Sequence, residues 1–429
     1  MRLPPRPLVL TVLTVLVLTA AAAATARPAA AAPGIRYGIK DDAWLLHGPG
    51  TLEGRVATLQ SLGVQIVRFG LRWDQIAPAK PQAPTDPNDP AYRWDGWDSV
   101  LQALHQAGIE TMLGIWGTPP WANGGRGPSS APTSGTAVAG FAAAAAARYP
   151  WIHRWLIWNE PNQRRWLQPT SAAVYVSRIL NPAYAALHRA IAGVQVGGGV
   201  TAPRGGVGGV SPVTWIDQMR RAHARLDAFA ENPYPLDPHN ETPTTGGCGH
   251  CLTYSMATLP RLLAAVRAAF GGTRVWLTEY GYQTSPPDPV LGVSPALQAR
   301  YESEAALRAY LAPRVDVLIH FLYQDEPDLG GWQSGLVFAN RRPKPALRAF
   351  QLPLAVRWRH GSTVSLWGEV RASSLGAYRL EVYRGGWRPL TSPAGATGRG
   401  FFTWTGPLPR GAKVRVVAGS VAGPALSVA

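Results

Sequence analysis

The sequence predicts a (β/α)8, or TIM, barrel followed by a small all-β sandwich, and three observations predict it. From about residue 35, short apolar runs alternate with longer amphipathic segments, eight times over. The short runs are near-continuous in Val, Ile and Leu, which suits strands covered on both faces. After Leu352 the alternation stops, and strand-like runs separated by glycine turns take over. Repeated strand–helix alternation points to a parallel sheet, and eight units to a closed one.

The strand-like runs are Ile35–Ile39, Val64–Gly70, Glu110–Ile115, Arg154–Trp158, Gln195–Val200, Leu226–Ala230, Arg274–Thr278 and Val315–Leu322. Between them, Thr51–Leu62 and Trp94–Ala107 carry apolar residues at helical spacing and stop at Gly63 and Gly108. Ala137–Arg148 is alanine-rich and stops before Pro150. Ser171–Ile191, Pro212–Ala224, Thr253–Ala269 and Pro295–Leu311 follow, with a short last helix around Pro345–Phe350. Glycine or proline after a periodic run is a stop signal. The tail runs are Ala355–Arg359, Thr363–Val370, Tyr378–Tyr383, Phe401–Thr405 and Val414–Ala418, with turns at Gly385-Gly386 and Gly395–Gly400. No helical period interrupts them, so they read as a sandwich. The expected organisation is a leader over 1–32, a barrel over 33–352 and a sandwich over 353–429.

The leader is expected because Arg2 and Arg6 precede an apolar run from Leu8 to Ala24, and A-x-A sites end at Ala26 or Ala32. This is the layout of a secretory signal, favoured over a membrane anchor by the cleavage sites. The mature chain is then expected outside a bacterial cell, with no membrane attachment. In an exported chain Cys248 and Cys251 are expected to form a disulfide. The rival, a redox Cys-x-x-Cys, belongs at the start of a helix in a βαβ unit, whereas Cys248-Gly249-His250-Cys251 follows a Gly/Thr/Pro-rich loop. Too few further ligands surround it for zinc, and no metal or cofactor is implied.

The formal net charge is +16. It allows attraction to a polyanion, or simply coding bias. Only Lys40, Lys80, Lys344 and Lys413 are lysine, the other cations being arginine, and Ala, Gly and Pro abound, which favours bias. The arginines form no dense run, against a nucleic-acid partner.

In a parallel barrel the working face lies at the C-terminal ends of the strands. The fourth run ends Trp158-Asn159-Glu160-Pro161-Asn162, and the seventh ends Thr278-Glu279-Tyr280-Gly281. Neither Glu is explained by a helix cap or by surface solubility. Two carboxylates facing one cavity are the minimum equipment for glycosidic bond cleavage: one protonates the leaving oxygen, and the other attacks the anomeric carbon or activates water.

Asn-Glu-Pro at the end of strand 4 with Glu at the end of strand 7 resembles the clan A retaining glycoside hydrolases. Trp158-Asn159-Glu160-Pro161-Asn162 is most similar to family 39, with family 5 next, and to secreted bacterial members. The resemblance spans roughly residues 35–350. It implies Glu160 as acid/base and Glu279 as nucleophile; the Asn159 amide beside Glu160 is itself expected to hold a sugar hydroxyl. It implies that Arg68 orients the nucleophile and that Tyr234 hydrogen-bonds it. Asn232 departs from the family pattern, where His is common. Trp73, Trp116 and Trp121 become expected sugar platforms, and Tyr323 or Gln324 is expected to take the place of a strand-8 Trp. Asp41, Asp42, Asp74, Glu231, Asp325 and Glu326 read as hydroxyl acceptors or loop-ordering groups. Trp367, Trp387 and Trp404 read as sandwich packing, with carbohydrate contact as the alternative.

The expectation is a secreted, monomeric, retaining O-glycosidase acting on an oligosaccharide or on a cell-wall or extracellular polysaccharide. A non-hydrolytic carbohydrate-binding protein on a degenerate barrel is the alternative.

Overall fold

The computed structural model describes Met1, Ala32 and residues 34–428; the expected leader therefore lies outside the described residues, apart from Met1 and Ala32. Eight strands close a barrel in sequence order: β1 (Arg36–Lys40), β2 (Ile66–Arg72), β3 (Glu110–Trp116), β4 (Arg154–Ile157), β5 (Gln195–Thr201), β6 (Ala228–Glu231), β7 (Arg274–Tyr280) and β8 (Val315–Phe321). Every pairing is parallel, and β1 closes the ring by pairing with β8, Arg36 opposite Val317.

The barrel interior explains why the sequence can place polar groups at its mouth. Ile66, Met112, Leu156, Val200, Ala228, Ala230, Trp276, Val317 and Ile319 fill it as an apolar plug. Side chains two residues apart share a strand face. Two residues beyond Ile66, Ala230 and Trp276, on the same inward face, stand Arg68, Asn232 and Thr278. Apolar packing therefore forms the floor, and the next inward layer is polar. Gly197 makes room for this plug: a Cβ there would lie 2.8 Å from both Leu156 and the Trp276 ring.

The expected helices are present, with one change of character. The segment expected as one helix over Ser171–Ile191 is two, Ala172–Tyr175 and Asn181–Ala190, joined by a wider π turn at Val176–Leu180. Pro182 has no N–H to donate four residues back, which favours the break. Its Tyr175 hydroxyl donates to Ile157 O at 2.7 Å and accepts from Gly199 N at 3.2 Å, bracing the ends of β4 and β5. Three short helices at strand ends, Asp42–His47, Trp73–Ile76 and Pro120–Asn123, carry no periodic signal and were not expected.

Beyond the helix Pro345–Gln351 the chain forms antiparallel sheets. The strands are β9 (Leu354–His360), β10 (Thr363–Glu369), β11 (Tyr378–Tyr383), β12 (Trp387–Pro389), β13 (Phe401–Pro407), β14 (Lys413–Ala418), β15 (Val421–Ala422) and β16 (Leu426–Ser427). One sheet runs β13-β10-β9, and the other runs β12-β11-β14-β15 with β16 on β14. Trp367 is fully buried against Tyr310 and Phe401, so it joins the sandwich to the helix Pro295–Leu311 and offers no face to a ligand. Arg371, ion-paired with Glu369, stacks over Tyr37 at 4.0 Å and fastens the same junction. Among the described residues no helix is long and apolar enough to cross a membrane.

Candidate active site

Glu279 is the penultimate residue of β7. The pairing of β7 with β8 slips between Leu277 and Tyr280. A bulge of this kind re-aims side chains, and Glu279 turns over the barrel mouth. There its Oε1 accepts from Arg68 Nη1 at 2.7 Å and from Lys40 Nζ at 2.8 Å, and its Oε2 accepts from the Tyr234 hydroxyl at 3.1 Å. Lys40 is the last residue of β1, and Arg68 rises from the inward face of β2. Burial alone would raise the Glu279 pKa, but Lys40, Arg68 and the hydrogen bonds from Lys40 and Tyr234 outweigh it and hold the carboxyl below its ordinary range.

Glu160 stands three residues beyond β4 on a backbone of left-handed conformation. Trp158 has φ 78°, Glu160 φ 41°, and the facing Val200 φ 45°. Such values cost a non-glycine residue free energy and persist only where neighbours hold them. Here Trp158 N donates to Ile115 O at 2.7 Å and Glu160 N to Val200 O at 2.9 Å. The Glu160 Oε1 accepts from Asn232 Nδ2 at 3.1 Å. Its Oε2 accepts from Trp166 Nε1 at 2.9 Å and from the exposed Arg165 at 3.2 Å. Burial, and then the charge of Glu279, push the Glu160 carboxyl above its ordinary range, only partly offset by Asn232 and Arg165.

The two carboxylates are tied into one network. Arg68 Nη2 donates to Asn159 Oδ1 at 2.7 Å, while its Nη1 also reaches Thr278 O at 3.0 Å and Asn232 Oδ1 at 3.4 Å. Thr278 Oγ1 donates to Asn232 Oδ1 at 2.8 Å, which fixes the amide so that Nδ2 faces Glu160. Glu160, Glu279, Asn159, Arg68, Asn232 and Tyr234 are all buried and are brought together here. Asn232, which departs from the expected His, bridges the two sides of the site.

The aromatic expectations divide. Trp116 is half-buried beside the site, edge-on to Trp166 at 5.3 Å and under the Arg72 guanidinium at 4.2 Å. Trp121 is half-buried with its Nε1 donating to Ala77 O at 2.8 Å. The expectation for Trp73 is corrected: it is 0% exposed, stacked on Phe141 and edge-on to Trp121, so neither face can meet a sugar. Its position at the start of a short helix turns it into the helix layer. Tyr323 and Gln324 are likewise placed elsewhere. Tyr323 packs on Trp44 at 4.1 Å, Gln324 Nε2 donates to Ala339 O at 2.8 Å, and both line a cavity of about 250 Å³ with Thr51 and Arg55. Trp332, from the loop after β8, instead lies 4.8 Å from the Tyr234 ring. Lys40, Arg165, Trp166 and Trp332 were not singled out from sequence. Of these only Lys40, a rare lysine ending a strand-like run, left a readable signal.

The other acids have separate work. Asp41 caps the helix Asp42–His47 through Trp44 N and accepts from Gln324 N; burial pushes its pKa up to about 7. Asp42 accepts from Gly70 N at 3.1 Å, a close approach that a Cβ on Gly70 would block. Burial raises it, against the pull of Lys40 and Arg68. Asp74 pairs with Arg72, and Asp325 with Lys344. Glu326 accepts from Trp332 N. Glu231 is fully buried, accepts from Thr201 Oγ1, and is held well above the carboxylate range by burial. Cys248 and Cys251 are joined in a disulfide, with Arg261 donating to both carbonyls at 2.8 and 2.9 Å. A cavity of about 800 Å³ between the helices Leu259–Phe270 and Pro295–Leu311 and the sandwich has Glu304 as the only carboxylate in its lining among the described residues.

No protein-family model and no curated protein matches the chain. Solved structures do. A family 39 glycoside hydrolase from Bacteroides cellulosilyticus WH2 is 17% identical with TM-score 0.59, over 86% of this chain and 78% of that one. A glucosidase from Croceicoccus marinus is 14% identical with TM-score 0.60, over 91% and 96%. A hyperthermophilic β-glucosidase from Pyrococcus furiosus is 14% identical with TM-score 0.50, over 74% and 94%. At these identities the likeness establishes the architecture: the chain carries the closed eight-stranded barrel fold on which these glycosidases are built.

Proposed function

We propose that this chain is a retaining O-glycosidase acting on an oligosaccharide or polysaccharide, exported through a leader over 1–32, with the barrel over 33–352 as its catalytic domain. Glu279 is the nucleophile and Glu160 the acid/base. The observation that carries this reading is the opposed electrostatics of two buried carboxyls at one barrel mouth. Two cations and a phenol hold Glu279 ionised. Burial beside that charge pushes the Glu160 carboxyl above its ordinary range, toward the protonated form. An acid and a nucleophile that work at one pH need their pKa values split in this direction.

The proposed steps are those of double displacement. Glu279 attacks the anomeric carbon as the bond to the leaving oxygen breaks, and Glu160 gives that oxygen its proton. The product is a glycosyl ester on Glu279. Glu160, now ionised, takes a proton from water as the water attacks the same carbon, and the ester bond breaks to return Glu279 to its carboxylate. Arg68, Lys40 and Tyr234 stabilise the charge on Glu279 as it leaves. Retention requires the two carboxyl groups to be about 5–5.5 Å apart. The likeness to glycosidase structures supports the reading at the level of fold, and the family resemblance of Asn159-Glu160-Pro161 supports it at the level of motif.

The test is product release from a panel of aryl glycosides and polysaccharides by wild type, Glu160→Ala and Glu279→Ala. Cleavage by wild type that is lost in Glu279→Ala supports the reading. Cleavage undiminished in both variants overturns the pair. Binding of a polysaccharide with no cleavage of any panel member favours the binding-protein alternative.

A further inference from the structure

In a retaining glycosidase the acid touches the leaving group, so the part of the substrate beyond the scissile bond rests against the loops around the acid. Around Glu160 those loops follow β3, β4 and β5, and they form one wall. Ser129 Oγ donates to Arg165 O at 2.7 Å, and Gln168 N to Ser129 O at 2.8 Å, which ties the first loop to the second. Gln163 Nε2 donates to Arg204 O at 3.1 Å, and Val210 N to Asn162 O at 2.8 Å, which ties the second to the third. The Trp116 and Trp166 rings meet edge-on at the base of this wall.

The wall carries Arg126, Arg164, Arg165 and Arg204, all exposed. Arg165 touches Glu160, and none of the other three pairs with a carboxylate among the described residues. Between 117 and 134, 161 and 171, and 202 and 211 the sequence has no Asp or Glu. The loops after β7 and β8, on the Glu279 side, differ: Asp288, Asp325, Glu326 and Asp328 stand there, beside Arg341, Arg342 and a Lys344 paired with Asp325. The loops on the leaving-group side are therefore the ones that carry arginine with no acid among them. Coding bias explains how many arginines the chain has, but not why three loops free of acids gather these four around the proposed acid.

We propose that the leaving-group side of the cleft binds an anionic saccharide unit, one bearing a carboxylate, sulfate or phosphate, through Arg126, Arg164, Arg165 and Arg204. The inference rests on the glycosidase reading for which side is which. Guanidinium forks match the planar or tetrahedral oxygens of such groups with paired hydrogen bonds. Trp116 and Trp166 supply apolar surface to the ring that bears the charge. An anion that engages Arg165 also draws that cation from Glu160, removing a charge that favours loss of the proton the acid must hold before it donates it. Each exposed pairing is weak and salt-screened, so the wall works by adding several.

The experiment measures binding of polygalacturonate and chondroitin sulfate against carboxyl-reduced polygalacturonate and desulfated chondroitin. Three proteins are compared: wild type, a triple Arg126→Gln, Arg164→Gln, Arg204→Gln variant, and a control triple Arg384→Gln, Arg388→Gln, Arg410→Gln. The control removes the same charge from exposed sites on the sandwich. The expected result is at least one anionic polymer bound about tenfold more tightly than its neutralised form, a preference lost in the first triple, kept in the control, and abolished on raising salt from about 0.05 to 0.5 M. Equal binding of charged and neutralised forms overturns the proposal, as does equal loss in the two triples, which marks general attraction to a basic protein. The three arginines are exposed and make no ion pair, so the variant is expected to melt with wild type; the single Arg164→Gln variant carries the same comparison if it does not. Binding and cleavage are read separately. Anionic polymer bound while no member of the glycoside and polysaccharide panel is cut counts against the glycosidase reading and spares the subsite; neutral glycosides cut with no anionic preference do the reverse.

Discussion

Arg68 Nη1 lies 2.7 Å from Glu279 Oε1 while the other arm of the same guanidinium holds Asn159, the residue before Glu160. One rigid fork from β2 thus sets the position of the proposed nucleophile relative to the strand that carries the acid. Lysine has the charge but one point of attachment. Arg68→Lys is therefore expected to lower kcat/KM by about 10²-fold or more, mostly through kcat, because the lost contact positions a reacting group. Steady-state kinetics check this; a change confined to KM would show that Arg68 binds substrate instead.

The pH profile follows from the two carboxyls. Glu279 is held below its ordinary range by Lys40 and Arg68, and Glu160 is pushed above its own by burial and by Glu279. The active form has Glu279 ionised and Glu160 protonated, so kcat/KM is expected to rise on the acid side as Glu279 loses its proton and fall on the alkaline side as Glu160 loses its own. Lys40→Met removes one cation, raises the Glu279 pKa and moves the acid limb to higher pH. An acid limb that stays in place would show that another group sets it.

Glu231 presses the same logic on stability. Its folded pKa is raised, so the folded state binds its proton more tightly than the unfolded chain. Wild-type stability from this group is then lost as pH rises above the ordinary Glu value of about 4.3. Glu231→Gln has no such loss, so its Tm relative to wild type is expected to climb between pH 4.5 and pH 8. A Tm difference flat across that range would mean that Glu231 is ionised in the fold.

The disulfide closes a ring of only four residues, for which loop entropy allows about 2 kcal/mol. Arg261 also holds the Cys248 and Cys251 carbonyls, through backbone oxygens rather than the sulfurs. Replacing both cysteines with Ser is expected to lower Tm by a few degrees and to leave kcat/KM within about twofold. A larger loss of activity would bring this loop into the chemistry.

Much of this site was legible because a barrel strand announces where it ends. The apolar runs place all eight strands within about two residues, and the polar residues directly after them include Glu160, Glu279, Asn232 and Tyr234. What was not legible lies in loops, where no period constrains the path. Trp166 reaches Glu160 from a loop that Trp158 Nε1 pins at Trp166 O, 2.9 Å away. Trp332 reaches Tyr234 across a long excursion after β8. Trp73 misled because a tryptophan beside a strand end faces either the mouth or the helix layer, and a four-residue helix chose the latter. Tyr323 and Gln324 follow β8 directly, but Trp44 and the cap at Asp41 draw them toward the β1 loop.

The measurement that bears most directly on the assignment of Glu160 and Glu279 is azide rescue on an activated aryl glycoside that wild type cleaves, with the anomeric configuration of the product read by NMR. Removing the acid/base leaves a glycosyl-enzyme that azide can attack, so Glu160→Ala is predicted to form a glycosyl azide of retained configuration. Glu279→Ala is predicted to be inactive alone and, with azide in the vacated space, to give the inverted product. The opposite pairing of variant and configuration, or full activity in either variant without azide, would contradict the account.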